Sequence, residues 1–294
     1  MAVIDHRPPF RGLEGRDPGV LFASVPTPSY ILDEAQLKRN GEILASVAEH
    51  TGAKILLAQK AFSNFDLYPV LAPYLAGTEA SGLYEARLGA EELPGKEVHV
   101  FCGAYRERDF VQLLQYADHI VFNSPRQLKL FAPRAKAAGK SVGLRINPEC
   151  STQEGHELYD PCAPGSRLGT TRAQWDAHMT EDSVSLLDGL HFHTLCEQDS
   201  DALETTLDAV EEKFGEFLPK MQWLNFGGGH HITRPGYDIP RLERCICRAR
   251  KRWNVEVYLE PGEACALNAG YLVSSVLDLP VNGETNLAIL DMSA

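Results

Sequence analysis

Lys60 lies two residues beyond the apolar run at 55–58, where a strand would hand over to a loop. An amine in that place can attack an aldehyde carbon, and partial shielding by the apolar strand favours its unprotonated, nucleophilic form. The plainer reading is a solvated lysine at a strand end. Asn225-Phe226-Gly227-Gly228-Gly229-His230 follows a second apolar run, and its three successive glycines let backbone N–H groups close on a phosphate with no Cβ in the way. The same residues would also serve a tight turn. His191-Phe192-His193 ends a third run, with both imidazoles on one face because side chains alternate along a strand. One ring could stack on a flat ligand, or the pair could begin a metal site, which would need further ligands on other strand ends. Lys60 and Asn147 occupy the ends of the first and fifth strands, so the sequence offers no such ligand there and no metal is expected. Glu260-Pro261-Gly262-Glu263 brings carboxylates to a fourth strand end. Glu260 could face a ring nitrogen and keep it protonated, or form an ordinary salt bridge.

A single ligand would use all four motifs. It needs an aldehyde for Lys60, a phosphate for Gly227, Gly228 and Gly229, a ring for His193 and a ring nitrogen for Glu260. Pyridoxal 5'-phosphate (PLP) carries each of these parts, and neither a metal hydrolase nor a simple phosphate-binding barrel calls for the whole set.

These residues must be positioned by elements that the chain pattern supplies. Short apolar runs recur near 55–58, 78–81, 98–102, 120–122, 142–146, 187–192, 223–226 and 255–259. Between them lie stretches of helical period, including 110–116, 127–138, 202–217 and 239–252, and Asp33 reads as the N-cap of a helix reaching His50. This is the alternation of a parallel sheet with crossover helices. Eight such units close into a (β/α)8 TIM-like barrel, which carries its chemistry on the loops after each strand. An open doubly wound sheet is the alternative that the same alternation allows. The run at 78–81 is the weakest strand, being short and polar, and the connection from Pro148 to Leu186 has room for an insertion. Past Pro261 the pattern changes to two strands, 271–279 and 287–290, around the hairpin turn Asn282-Gly283. The expected organisation is an N-terminal segment 1–28, a barrel 29–268, and the beginning of a C-terminal β domain at 269–294.

Composition sets the class. With 44% hydrophobic and 9% aromatic residues, the 294-residue chain can fill a core. Its formal charge of −12 argues against nucleic-acid binding and is compatible with a cationic substrate. The charged, proline-rich start lacks the apolar stretch of a secretory signal, which points to the cytoplasm and to no membrane association. Seven scattered cysteines do not form a disulfide framework. Cys245 and Cys247, two apart on a helix, face different directions and make a poor metal pair.

Read together, these stretches resemble the alanine racemase-like (fold-type III) PLP-dependent decarboxylases, and within them the carboxynorspermidine/carboxyspermidine decarboxylases. The resemblance runs from about Pro26 onward. It is carried by Leu57-Ala58-Gln59-Lys60-Ala61-Phe62, by the run 159–169, by His191-Phe192-His193-Thr194-Leu195-Cys196-Glu197, by the glycine motif and by Glu260-Pro261-Gly262-Glu263-Ala264. It implies that Lys60 forms a Schiff base with PLP, that His193 stacks on its ring, that Gly227 to Gly229 hold the phosphate, and that Glu260 pairs with the pyridine nitrogen. It further implies a homodimer with sites between the barrel of one subunit and the β domain of the other. Ornithine and diaminopimelate decarboxylases usually carry arginine where Glu263 stands. A carboxylate there, with Glu197 nearby, suits the cationic amine of a carboxylated polyamine substrate. The resemblance also implies a longer β domain, containing a catalytic cysteine segment and an acidic substrate contact, so residues 1–294 alone are expected to show little turnover. Racemisation is disfavoured by Glu260, since racemases typically place arginine at the pyridine nitrogen. A non-catalytic PLP-binding barrel would have no use for the strands after Tyr271.

Overall fold

The computed structural model describes residues 20, 22–153 and 160–293; Tyr159 and most of the 1–28 segment fall outside the described residues. Strand β1 (Ser29–Leu32) leads into helix α1 (Glu34–Thr51), which starts at Asp33 because that side chain accepts from the Gln36 N–H. Eight parallel strands then alternate with helices: β2 (Lys54–Ala58), α2 (Tyr68–Leu71), β3 (Gly77–Ala80), α3 (Leu83–Glu92), β4 (Glu97–Phe101), α4 (Glu107–Tyr116), β5 (His119–Phe122), α5 (Pro125–Ala137), β6 (Ser141–Arg145), α6 (Arg172–His178), α7 (Glu181–Ser185), β7 (Gly189–His191), α8 (Ser200–Phe214), β8 (Trp223–Asn225), α9 (Ile239–Trp253) and β9 (Glu256–Leu259). Strands β2 to β9 hydrogen-bond in sequence order, and β9 returns to pair with β2, so the sheet closes and the open-sheet alternative is excluded. All eight expected strands are present.

The barrel interior follows from the period-two alternation. Leu56, Val121, Trp223 and Tyr258 form a buried cluster, with the Trp223 indole packed where Gly143 and Gly189 leave space. A polar layer closes the N-terminal end. There Lys54 Nζ lies 2.6 Å from Glu97 and 3.1 Å from Glu256, while the His99 and His119 rings stack at 3.9 Å. Helices pack their apolar faces outside the strands. On α9 this buries Cys245 and exposes Cys247, as their spacing requires.

After α10 (Glu263–Ala266) come β10 (Gly270–Val273), β11 (Val276–Asp278), β12 (Val281–Asn282), β13 (Thr285–Asn286) and β14 (Ile289–Leu290). The two long strands expected here are thus split. Strand β10 pairs antiparallel with β1, so residues 29–32 join the C-terminal strands rather than the barrel, and β11 pairs with β14. The hairpin also turns one residue later than expected: Asn282 is paired with Thr285, leaving Gly283, at φ +61°, and Glu284 as the turn. Gly283 adopts the left-handed conformation without Cβ strain, so it sits inside the turn and Asn282 remains in the ladder.

Candidate active site

The C-terminal strand ends surround a cavity of about 540 Å³, within the range of small-molecule sites. Lys60, His193, Glu197, Gly228, Gly229, Glu260 and Glu263 all line it. All of them sit on the segments that follow β2, β7, β8 and β9, where a barrel gathers its chemistry. Lys60 sits in the turn after β2 with its side chain exposed at the mouth, not shielded against the strand as its apolar neighbours suggest. The shielding expectation fails because Lys60 lies beyond the last buried strand position, Ala58.

Glu260 is buried just beyond β9. Its Oε1 accepts from Asn225 Nδ2 at 2.6 Å, and its Oε2 lies 3.2 Å from His191 Nε2. Burial opposes the charge on this carboxyl, yet His191 and Asn225 outweigh burial and hold it below the usual carboxylate range. Burial lowers the His191 pKa while the Glu260 charge opposes it, and its Nε2 faces the carboxylate. His193 lies just past β7, half-buried, and is pushed well below the ordinary histidine value by burial and by Arg145. Its Nδ1 accepts from the Gly228 N–H at 3.3 Å, so in the neutral ring the proton is on Nε2.

The fold alters the metal reading. Ring nitrogens of His191 and His193 and a Glu260 oxygen all lie within 4.8 Å of one another, which supplies the third ligand that the sequence lacked. Asn225 points its N–H donor at Oε1 of this carboxylate, which leaves Oε2 as the oxygen beside His191.

The glycine motif is tight for a different reason than expected. A Cβ on Gly227 would strike Phe192 O, one on Gly228 would approach Glu260 O at 2.6 Å, and one on Gly229 would strike Leu195 O. Gly227 and Gly229 also have φ of +71° and +81°. Close packing onto neighbouring loops, not clearance over the cavity, excludes side chains here. The Gly227 N–H is held by Asn225 Oδ1 at 2.8 Å and the Gly228 N–H by His193 Nδ1 at 3.3 Å, so anion contacts from this loop fall to Gly229 and the amides beyond it.

Glu263 opens α10, with His231 Nε2 3.4 Å from its Oε1. Partial burial raises its pKa, Glu197 raises it further, and His231 opposes both. Glu197 is exposed, with a φ of 52° that turns it toward the same rim.

Two buried charged residues of this cavity are additional to the sequence-derived set. Glu79, on β3, is pushed up to about 8 by burial and by the Glu260 charge. Arg145, at the end of β6, is pushed down to about 10 by burial; it stacks 4.6 Å over Phe101 and donates to His193 O at 3.0 Å. The signal was present in the pattern: both are lone charges at inward positions of strands that are otherwise apolar or small.

A closed α/β barrel with this mouth and trailing antiparallel strands is the arrangement of the alanine racemase-like fold. No family model matches the chain. Among known proteins, it is 42% identical over 275 residues to the carboxynorspermidine/carboxyspermidine decarboxylase of Campylobacter jejuni, covering 94% of this chain and 70% of that one. It is 40% identical over 273 residues to the carboxyaminopropylagmatine decarboxylase of Synechocystis sp., covering 92% and 69%. The crystal structure of the C. jejuni carboxynorspermidine decarboxylase complexed with norspermidine matches with a TM-score of 0.82 at 41% identity, over 92% of this chain and 68% of that one. The chain belongs to the carboxynorspermidine/carboxyspermidine decarboxylase family. Among the described residues, no helix is long and apolar enough to cross a membrane.

Proposed function

We propose that this protein decarboxylates carboxynorspermidine or carboxyspermidine with PLP as cofactor, yielding norspermidine or spermidine. The observation that carries this reading is the convergence on one cavity of Lys60, the glycine loop, His193, an ionised Glu260 and the carboxylates Glu263 and Glu197. The donor set fits PLP. Lys60 offers an amine to the aldehyde, the end of the glycine loop at Gly229 offers its amide to the phosphate, neutral His193 offers a ring face, and Glu260 offers a carboxylate to the ring nitrogen. When bound, PLP supplies an electron sink for the pair left at the carbon that loses CO2.

The chain's own groups divide the work. Asn225 and His191 keep Glu260 ionised, so it can hold a proton on the ring nitrogen. Glu79 stays neutral near pH 7 and leaves Glu260 as the charged carboxylate at this depth. Glu263 and Glu197 at the rim bind the distal ammonium of the substrate and disfavour diaminopimelate, whose distal carboxylate they repel. The names of the relatives support a cationic carboxylated amine as the substrate class. Homodimerisation is supported by exposed apolar side chains on the C-terminal strands, among them Leu277, Val281 and Ile289. A reducing, cytoplasmic setting is supported by seven free cysteines.

The test has two parts. Borohydride reduction and peptide mapping should find the pyridoxyl group on Lys60; a label on Lys54, which is engaged by acids at the opposite end of the barrel, would refute the cofactor assignment. CO2 release should then be faster from carboxynorspermidine or carboxyspermidine than from diaminopimelate or ornithine, and the reverse order would overturn the substrate.

A further inference from the structure

Asn225 connects two parts of the site that the PLP reading treats separately, and the role inferred for it rests on that reading. Its side chain is fully buried at the end of β8. Oδ1 accepts the Gly227 N–H at 2.8 Å, while Nδ2 donates to Glu260 Oε1 at 2.6 Å. Chemistry fixes this orientation, because a carboxylate only accepts and a backbone N–H only donates; a flipped amide would lose both bonds. The same two residues are also tied through the main chain, since the Glu260 N–H donates to Gly227 O at 2.8 Å. His191 holds the other Glu260 oxygen, so the carboxylate has little freedom to rotate.

We propose that Asn225 is a positioning residue that locks the glycine loop to the Glu260 carboxylate, so that the phosphate end and the ring-nitrogen end of the cofactor are held at one spacing. Its effect on PLP binding therefore acts through Glu260. A buried, charge-assisted hydrogen bond of this kind corresponds to about a 10- to 100-fold change in affinity.

The experiment measures PLP affinity by absorbance titration for the wild-type protein, Asn225→Ala, Glu260→Ala and the double variant, with thermal melts of each. Asn225→Ala is expected to weaken PLP by about 10- to 100-fold in the wild-type background and by less than about threefold once Glu260 is already alanine. Equal losses in both backgrounds, whatever the melts show, would overturn the proposal and leave Asn225 a merely structural residue. So would an unchanged affinity in Asn225→Ala. If the wild-type protein itself fails to bind PLP, the cofactor reading falls and this proposal with it. Should Asn225→Ala not fold, Asn225→Asp retains the acceptor for Gly227 but sets a carboxylate against Glu260. This change is expected to weaken PLP by at least tenfold with Glu260 present and by less than about threefold in the Glu260→Ala background, whereas equal losses would refute the lock.

Discussion

Replacing Glu79 by glutamine should remove a specific pH dependence of stability. In the folded protein this carboxyl is raised from 4.5 to about 8 by burial and by the Glu260 charge, with Lys60 and Arg145 opposing. A raised value means that the folded state holds the proton more tightly than the unfolded chain does. The contribution is therefore fully present below pH 4.5 and is lost as pH rises toward 8. Between pH 5 and 8, a difference of this size amounts to about 3–4 kcal/mol of lost stability. Glu79→Gln has no proton to lose, and the remaining groups titrate in both proteins. Urea denaturation of cofactor-free protein at pH 5, 6, 7 and 8 should show the wild type falling relative to the variant by that amount. Parallel pH profiles would mean that Glu79 is ionised in the fold, and the division of labour between Glu79 and Glu260 would then be wrong.

Glu263→Gln should lower the preference for carboxylated polyamine over diaminopimelate by about three- to tenfold, since 45% of its side chain is exposed and the ammonium contact is partly screened. Specificity constants for the two substrates decide it, and an unchanged ratio would remove Glu263 from substrate recognition. Gly229→Ala forces a Cβ onto Leu195 O at a left-handed φ, so it should lower the melting temperature and weaken PLP binding together. A melt and a titration matching wild type would show that the loop tolerates a side chain. His119, at the floor of the barrel, is pushed down from 6.5 to about 3, first by burial and then by His99. It stays neutral in the fold while the unfolded chain takes up a proton. Stability should therefore fall below pH 6.5 by up to about 1.4 kcal/mol per pH unit, and His119→Asn should flatten that slope in acid denaturation.

Sequence alone determined the barrel, because eight apolar runs separated by helical period leave a parallel sheet little freedom, and each run proved to be a strand. It also marked Lys60, the glycines, His193 and Glu260, since chemistry at a strand end needs particular residue types at fixed positions. The polarity of Thr78 and Glu79 weakened the strand reading for the same reason that β3 matters to the site: an inward carboxyl sits in it. Only the closed structure could decide charge and contact. Asn225, His191 and Glu260 come from three different strand ends, so their bonds exist only once β7, β8 and β9 lie side by side. The displacement of Glu79 and Glu260 in opposite directions likewise depends on burial and on which donors each carboxyl meets, quantities that belong to packing across the barrel. The hairpin turns one residue late because Gly283 takes the left-handed place inside the turn, and β1 left the barrel for β10 because pairing between distant segments is settled only in the folded chain.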